Sequence, residues 1–152
     1  TFSPEQLRKA ADIDNVVGFK DSSANMNYFH KCLAAVEDIP DFSMLVGPEE
    51  LLAETVLLGG HGGVNGGANM FPKLYVDLYN AAKEENLEKT RELHRKVIEI
   101  SRTIYGMGYP HGLKCALDCL GICSGEFAEP FHAFGADKKA RIAKIVEDVK
   151  YG

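Results

Sequence analysis

Short unbroken apolar runs alternate along this chain with longer stretches whose apolar residues recur every three or four positions, the periods of buried strands and of amphipathic helices. Ser3-Pro4-Glu5-Gln6 opens the first helical stretch, with Ser3 as cap, Pro4 in the first turn and Gln6 three positions on, and this helix is predicted to reach about Ile13. A buried strand is predicted from Val16 through Phe19, with Asn15 before it and Lys20-Asp21-Ser22-Ser23 closing it. Phe29, Leu33 and Val36 share a helical face over residues 24–36, Pro40-Asp41 turns the chain, and residues 42–46 form the next apolar run. Gly47-Pro48 ends that run, residues 49–58 read as a third helix, the small residues 62–66 as a third strand, and residues 71–83 as a fourth helix.

Strand and helix thus alternate three times, which predicts an α/β fold of parallel units joined by right-handed crossovers. Beyond Glu84 the pattern changes. Residues 87–105 place Leu93, Val97, Ile100 and Ile104 on one face and charged residues on the other. Gly106-Met107-Gly108-Tyr109-Pro110 breaks this helix, and further helices are predicted at 111–120 and 138–149. Three strands do not close into a barrel, so the strands at Val16 and at Gly62 each keep an unpaired edge. A partner covering those edges is expected, and a stable isolated monomer is not.

Composition narrows the function classes. A chain of 152 residues can enclose a sizeable core as one domain. Its net charge of -5, with no basic cluster, argues against a nucleic-acid surface. No apolar run approaches the roughly twenty residues of a membrane span, and the first residues lack the basic and apolar pattern of a signal peptide. The expected location is the cytoplasm, where the four cysteines are read as reduced thiols. The chain starts at Thr1 rather than methionine, which suits a processed or truncated product.

The candidate chemistry centres on Lys20, at the carboxyl end of its strand, where ligands and catalytic groups gather in α/β sheets and barrels. Held among Val, Gly and Phe, this lysine is expected to be partly desolvated, and a neutral amine there can attack a carbonyl to form a Schiff base. The competing reading is a lysine that extends into solvent. Asp21, Ser22 and Ser23 either tune Lys20 and organise its loop or cap the helix that follows. Glu49 and Glu50 favour their helix start through its dipole.

The glycines from Gly59 to Gly67 lack the Gly-Lys-Ser/Thr ending of a phosphate loop and the spacing of a dinucleotide fingerprint, so their expected role is steric, allowing close approach of backbone. His111, Cys115, Cys119 and Cys123 recur every four positions, but helical ligands so spaced climb about 6 Å per step and do not converge on one ion. Gly121 also interrupts the helix before Cys123. Core packing is the reading for this stripe, and no metal is expected. His30, His61, His94 and His132 show no spacing that makes a site.

Two segments carry a resemblance. Gly18-Phe19-Lys20-Asp21-Ser22-Ser23 resembles the Schiff-base lysine segment of the dihydrodipicolinate synthase and N-acetylneuraminate lyase family of pyruvate-dependent aldolases. The run from Gly59 to Pro72, Gly-Gly-His-Gly-Gly-Val-Asn-Gly-Gly-Ala-Asn-Met-Phe-Pro, resembles the last barrel strand and following turn of the same family. The likeness runs through the whole chain but covers only the second half of the family's usual length. It implies strands six to eight of a (β/α)8 TIM barrel with flanking helices over residues 1–85, and a C-terminal helical extension over 86–152.

The resemblance further implies Lys20 as the Schiff-base lysine, Gly63, Val64 and Asn65 along the wall of the pyruvate pocket, and Gly47 in a turn that faces substrate in some members. Substrates would be pyruvate or another 2-oxo acid plus an aldehyde, with no metal or organic cofactor. Aspartate semialdehyde, sialic acid and 2-keto-3-deoxy sugar acids are among the family's substrates, and the Asp21-Ser22-Ser23 and Asn65-Gly66-Gly67 variants are closer to the sugar-acid aldolases. The family's proton-relay tyrosine, on the fifth strand, and its carboxylate-binding hydroxyl pair, on the second, both precede Thr1. Tyr28, Tyr75, Tyr79, Tyr105 and Tyr109 fall on helices or in connections and do not replace that tyrosine. The isolated chain is therefore expected to be nearly inactive without the missing amino-terminal half, and a homo-oligomer or association with that half is the expected assembly. The alternative is a non-catalytic half-barrel whose role is self-association.

Overall fold

Ser3 and Gln6 exchange hydrogen bonds, the Ser3 Oγ accepting from the Gln6 N–H at 3.2 Å and the Gln6 Oε1 from the Ser3 N–H at 2.8 Å, and so start helix α1 (Pro4–Ala11) as the sequence predicts. The structure is a computed structural model that describes residues 1–151, with side chains described through residue 149. Helix α1 stops two residues short of Ile13, and Asn15 then takes φ 70°, a turn conformation that ends helical pairing. Strand β1 is Gly18–Asp21, followed by α2 (Met26–Val36), β2 (Ser43–Val46), α3 (Leu52–Leu57), β3 (Gly62–Gly63) and α4 (Pro72–Lys83).

The three strands form one parallel sheet in the order β1-β2-β3. Lys20 lies level with Leu45, and Leu45 with Gly62. Strand β1 begins at Gly18 rather than Val16 because its ladder starts opposite Ser43, the first residue of β2. Strand β3 is two residues instead of the predicted five. Val64 still donates to Val46 O at 2.8 Å, but Gly66–Asn69 then coils into a 3-10 turn, since glycines offer no side chains to hold an extended run in place. Residues 49–58 also divide, into a 3-10 turn at Glu49–Leu51 and α3, as the Glu49 side chain turns inward.

Met44 and Val46 point to the face covered by α1 and α2, where they pack with Leu7, Phe29, Cys32 and Val36. Burying a side chain of this size contributes about 1.5–3 kcal/mol. Lys20 and Leu45 alternate with these residues and so occupy the opposite face. Helix α5 (Leu87–Ile104) lays Leu93 and Val97 against Leu78 and Ala81 of α4. A 3-10 turn (Tyr105–Met107) leads to α6 (His111–Cys119), and α7 (Ala136–Tyr151) packs Ile142 and Val146 against Ile100, Ile104 and Ala116. Among the described residues no helix is long and apolar enough to cross a membrane.

Candidate active site

Register sets Lys20 one residue before the end of β1, and the next side chain fixes the turn beyond it. Asp21 is buried and accepts from the Ser23 N–H and the Ser23 Oγ, both at 2.9 Å, while the Ser23 Oγ accepts from Asn25 N–H at 3.2 Å. Asn25 then caps α2 by accepting from Tyr28 N–H at 3.0 Å. Asp21 and the Ser23 hydroxyl thus organise the loop after Lys20, and Asn25 rather than one of them is the helix cap. Lys20 itself is exposed, contrary to the expected desolvation, because a sheet of three strands leaves its face uncovered.

The Lys20 side chain borders a cleft of about 380 Å³ that also takes in Gly47, Val64, Glu50, Tyr105 and Tyr109. Gly47 is held to β1 by its N–H, which donates to Asp21 O at 2.7 Å. A Cβ on Gly47 would fall 2.4 Å from the Ser22 Oγ and 3.2 Å from the Ser22 Cα, so a larger residue there would have to displace the Ser22 hydroxyl and press on its backbone. The Asn65 Nδ2 donates to Gly47 O at 2.9 Å. Asn65 and Gly63 line a neighbouring cavity of about 300 Å³, together with His61, Tyr75 and Tyr79. Lys20, Gly47 and Val64 therefore share one cleft, whereas Gly63 and Asn65 stand on the far side of the turn. His61 is tied to the sheet, its Nδ1 accepting from Met44 N–H at 3.0 Å.

Glu49 does more than favour a helix start. Its side chain is 3% exposed, and its carboxylate accepts from Tyr75 Oη at 2.6 Å, Gly67 N–H at 2.8 Å and Tyr105 Oη at 3.3 Å. Burial raises the Glu49 pKa above its ordinary value, against the pull of the hydrogen bonds from Tyr75 and Gly67. Burial, and next the Glu49 charge, push the phenols of Tyr75 and Tyr105 well above the usual tyrosine range. The adjacent Glu50 accepts from the Ser101 hydroxyl through its carboxylate, and its carbonyl meets His94 Nε2 at 2.8 Å.

Sequence reasoning missed Glu49, Tyr105 and Tyr109 as cleft residues. One signal was present. Glycine at position 67 is required where a Cβ would lie 1.8 Å from Tyr75 Oη and 2.6 Å from Glu49 Oε1, which marks a crowded polar contact. The cysteine stripe does not converge on a shared point. Cys115 is buried in the core, α6 ends at Cys119, and Cys123 is exposed beyond Gly121, which takes φ 72°. His111 stacks on Phe127 and Phe134, with ring centroids 4.7 and 5.6 Å away.

The family model described as the dihydrodipicolinate synthetase family matches residues 1–149, nearly the whole chain. The chain belongs to that family. Among solved members, a dihydrodipicolinate synthase from Bacteroides thetaiotaomicron is 54% identical and superposes with a TM-score of 0.92 over 97% of this chain and 51% of its own. The 4-hydroxy-tetrahydrodipicolinate synthase of Archaeoglobus fulgidus is 28% identical across 97% of this chain and 50% of its own length. An uncharacterized DapA-like lyase of Halobacterium salinarum is 31% identical across 97% of this chain and 48% of its own. The chain spans about half the length of the curated relatives it matches. Its parallel strands and helices form part of the dihydrodipicolinate synthetase family's barrel fold.

Proposed function

We propose that this chain is the second part of a Schiff-base aldolase or lyase that acts on pyruvate or another 2-oxo acid and an aldehyde. Strands β1, β2 and β3 would be the sixth, seventh and eighth of a (β/α)8 barrel ending near residue 85, with residues 86–152 as an appended helical unit. The observation that carries this reading is Lys20 at the carboxyl end of β1, opening on a cleft shared with Gly47 and Val64.

In this reading the Lys20 amine attacks the keto carbon, and the carbinolamine loses water to give an imine. The imine then accepts the electron pair left when the α-carbon gives up a proton, and the resulting enamine attacks the aldehyde carbon to form the new bond. Gly47 and Val64 leave room for the small acid beside the amine, and no metal or organic cofactor is needed. Proton transfer from a placed acid or base commonly contributes some hundred- to ten-thousandfold, and that group would come from the remaining barrel strands, on a longer chain or a second subunit. The protein would work in the cytoplasm as an oligomer.

A second reading, a non-catalytic half-barrel serving self-association, is favoured by the exposure of Lys20. Intact mass after incubation with pyruvate and borohydride separates the two, with Lys20→Ala as control. The aldolase reading expects a reduced adduct at Lys20 when a segment supplying the remaining strands is added, and little on the chain alone. Absence of the adduct from both preparations leaves the half-barrel reading.

A further inference from the structure

We propose that Glu49 is a positioning residue that holds Tyr105 as a wall of the Lys20 cleft, and through it gives the helices after residue 85 a part in shaping the site. The cleft itself is the one assigned above to the Schiff-base lysine. Three donors from three separate stretches converge on the Glu49 carboxylate: Gly67 after β3, Tyr75 on α4 and Tyr105 after α5. Glu49 borders the cleft but is only 3% exposed, and its carboxylate is taken up by these three donors, which suits it to orient its neighbours.

The two phenols it holds differ in where they lead. Tyr75 lines the neighbouring cavity, whereas Tyr105 lines the cleft that contains Lys20. Because the Tyr105 O–H is donated to Glu49, its oxygen faces the surroundings as an acceptor. Tyr105 also meets Tyr109 edge to face with centroids 5.1 Å apart, a contact that biases the exposed ring toward the same wall. Gly66 lies against the same wall, since a Cβ there would come 2.9 Å from Tyr105 Oη and push on that phenol. The charged and titratable groups that face Glu49 are Glu50 on its own turn, Tyr75 from α4 and Tyr105 from the end of α5.

Tetranitromethane nitrates phenolates, so its rate at each tyrosine, mapped by peptide mass, reads both placement and ionisation. In Glu49→Gln the carboxylate that holds Tyr105 and disfavours its phenolate is gone, and nitration at Tyr105 is expected to rise roughly tenfold, the scale of one charge-assisted hydrogen bond. Tyr75→Phe removes a donor that competes with Tyr105 for the same carboxylate but leaves that carboxylate in place, so the coupling between the two arms should hold the Tyr105 rate level or lower it, and not raise it. An unchanged Tyr105 rate in Glu49→Gln overturns the proposal, and so does an equal rise in Tyr75→Phe, which would mean general loosening.

Should Glu49→Gln fail to fold, Tyr105→Phe decides: it is expected to raise nitration at Tyr109 and to slow reductive trapping of pyruvate at Lys20 several-fold, and an unchanged Tyr109 rate overturns the proposal. Wild-type protein with the remaining strands supplied that traps no pyruvate removes the Schiff-base reading alone. The nitration rates still decide the role of Glu49 in that case.

Discussion

The side-chain amide of Asn65 donates to the carbonyl oxygen of Gly47 at 2.9 Å and so ties the turn after β2 to the turn after β3. In Asn65→Asp an acceptor replaces that donor and faces the carbonyl across the same gap. The variant is expected to lose about 1–3 kcal/mol, and Asn65→Ala less, because it leaves only the Gly47 carbonyl without its partner. Urea midpoints of the two variants check the order.

Two glycines are expected to be intolerant of alanine. A Cβ on Gly112 would lie 2.1 Å from the Ile104 carbonyl oxygen, and one on Gly67 1.8 Å from Tyr75 Oη. The Gly112 contact is with backbone, which cannot swing away, so Gly112→Ala should cost at least about 1–3 kcal/mol. Gly106→Ala is the control, since nothing lies within 4 Å of its added carbon. Thermal midpoints of the three variants test the prediction.

Glu49 imposes a pH dependence on stability. Its folded pKa is raised above the ordinary 4.5, chiefly by burial, so the folded state binds this proton more tightly than the unfolded chain does. Its stabilising effect is complete below about pH 4.5 and is lost as pH rises through the folded value. Asp38 has the opposite sign: hydrogen bonding from Arg8 lowers its pKa below 3.8, and its contribution is lost as pH falls further. Measured from pH 4.5 upward, the midpoint of Glu49→Gln should therefore gain on wild type as pH rises. A constant gap between the two proteins would contradict this.

Thiol reactivity should follow burial. Cys123 is exposed, whereas burial pushes the Cys115 thiol up to about 11 and raises that of Cys32 as well. Stoichiometric labelling of the folded protein is expected at Cys123 first, with Cys32 and Cys115 modified only on unfolding. Early labelling at Cys115 would show that α6 opens from the core.

The elements and their order were legible in the sequence because each depends on local signals. Ser3 with Gln6 marked a helix start, Phe29 and Val36 a buried face, and the Leu93 to Ile104 stripe a long helix. Boundaries failed where pairing or a turn overrides composition. Asn15 turns the chain before β1, Ala24 takes φ 57° ahead of α2, and the glycines after Gly63 leave the sheet. Lys20, Gly47 and Val64 could be placed together from strand ends and from the resemblance. Glu49 with Tyr75, Gly67 and Tyr105 could not, since a buried acid is defined by donors distant in sequence, and no periodicity announces it.

The hydrogen bonds that place the cleft wall, Ser101 to Glu50 and Tyr105 to Glu49, span 51 and 56 residues. Each bond closes a long loop for a modest net gain, whereas the strands of the sheet pair with partners nearer in sequence, Lys20 with Leu45 and Leu45 with Gly62. As denaturant rises, the surroundings of Lys20 should accordingly dissolve before the sheet that carries it. Circular dichroism would then report an intact fold in protein whose Lys20 cleft has already lost its wall, so a probe of that cleft and not the secondary structure is the measure of a native preparation.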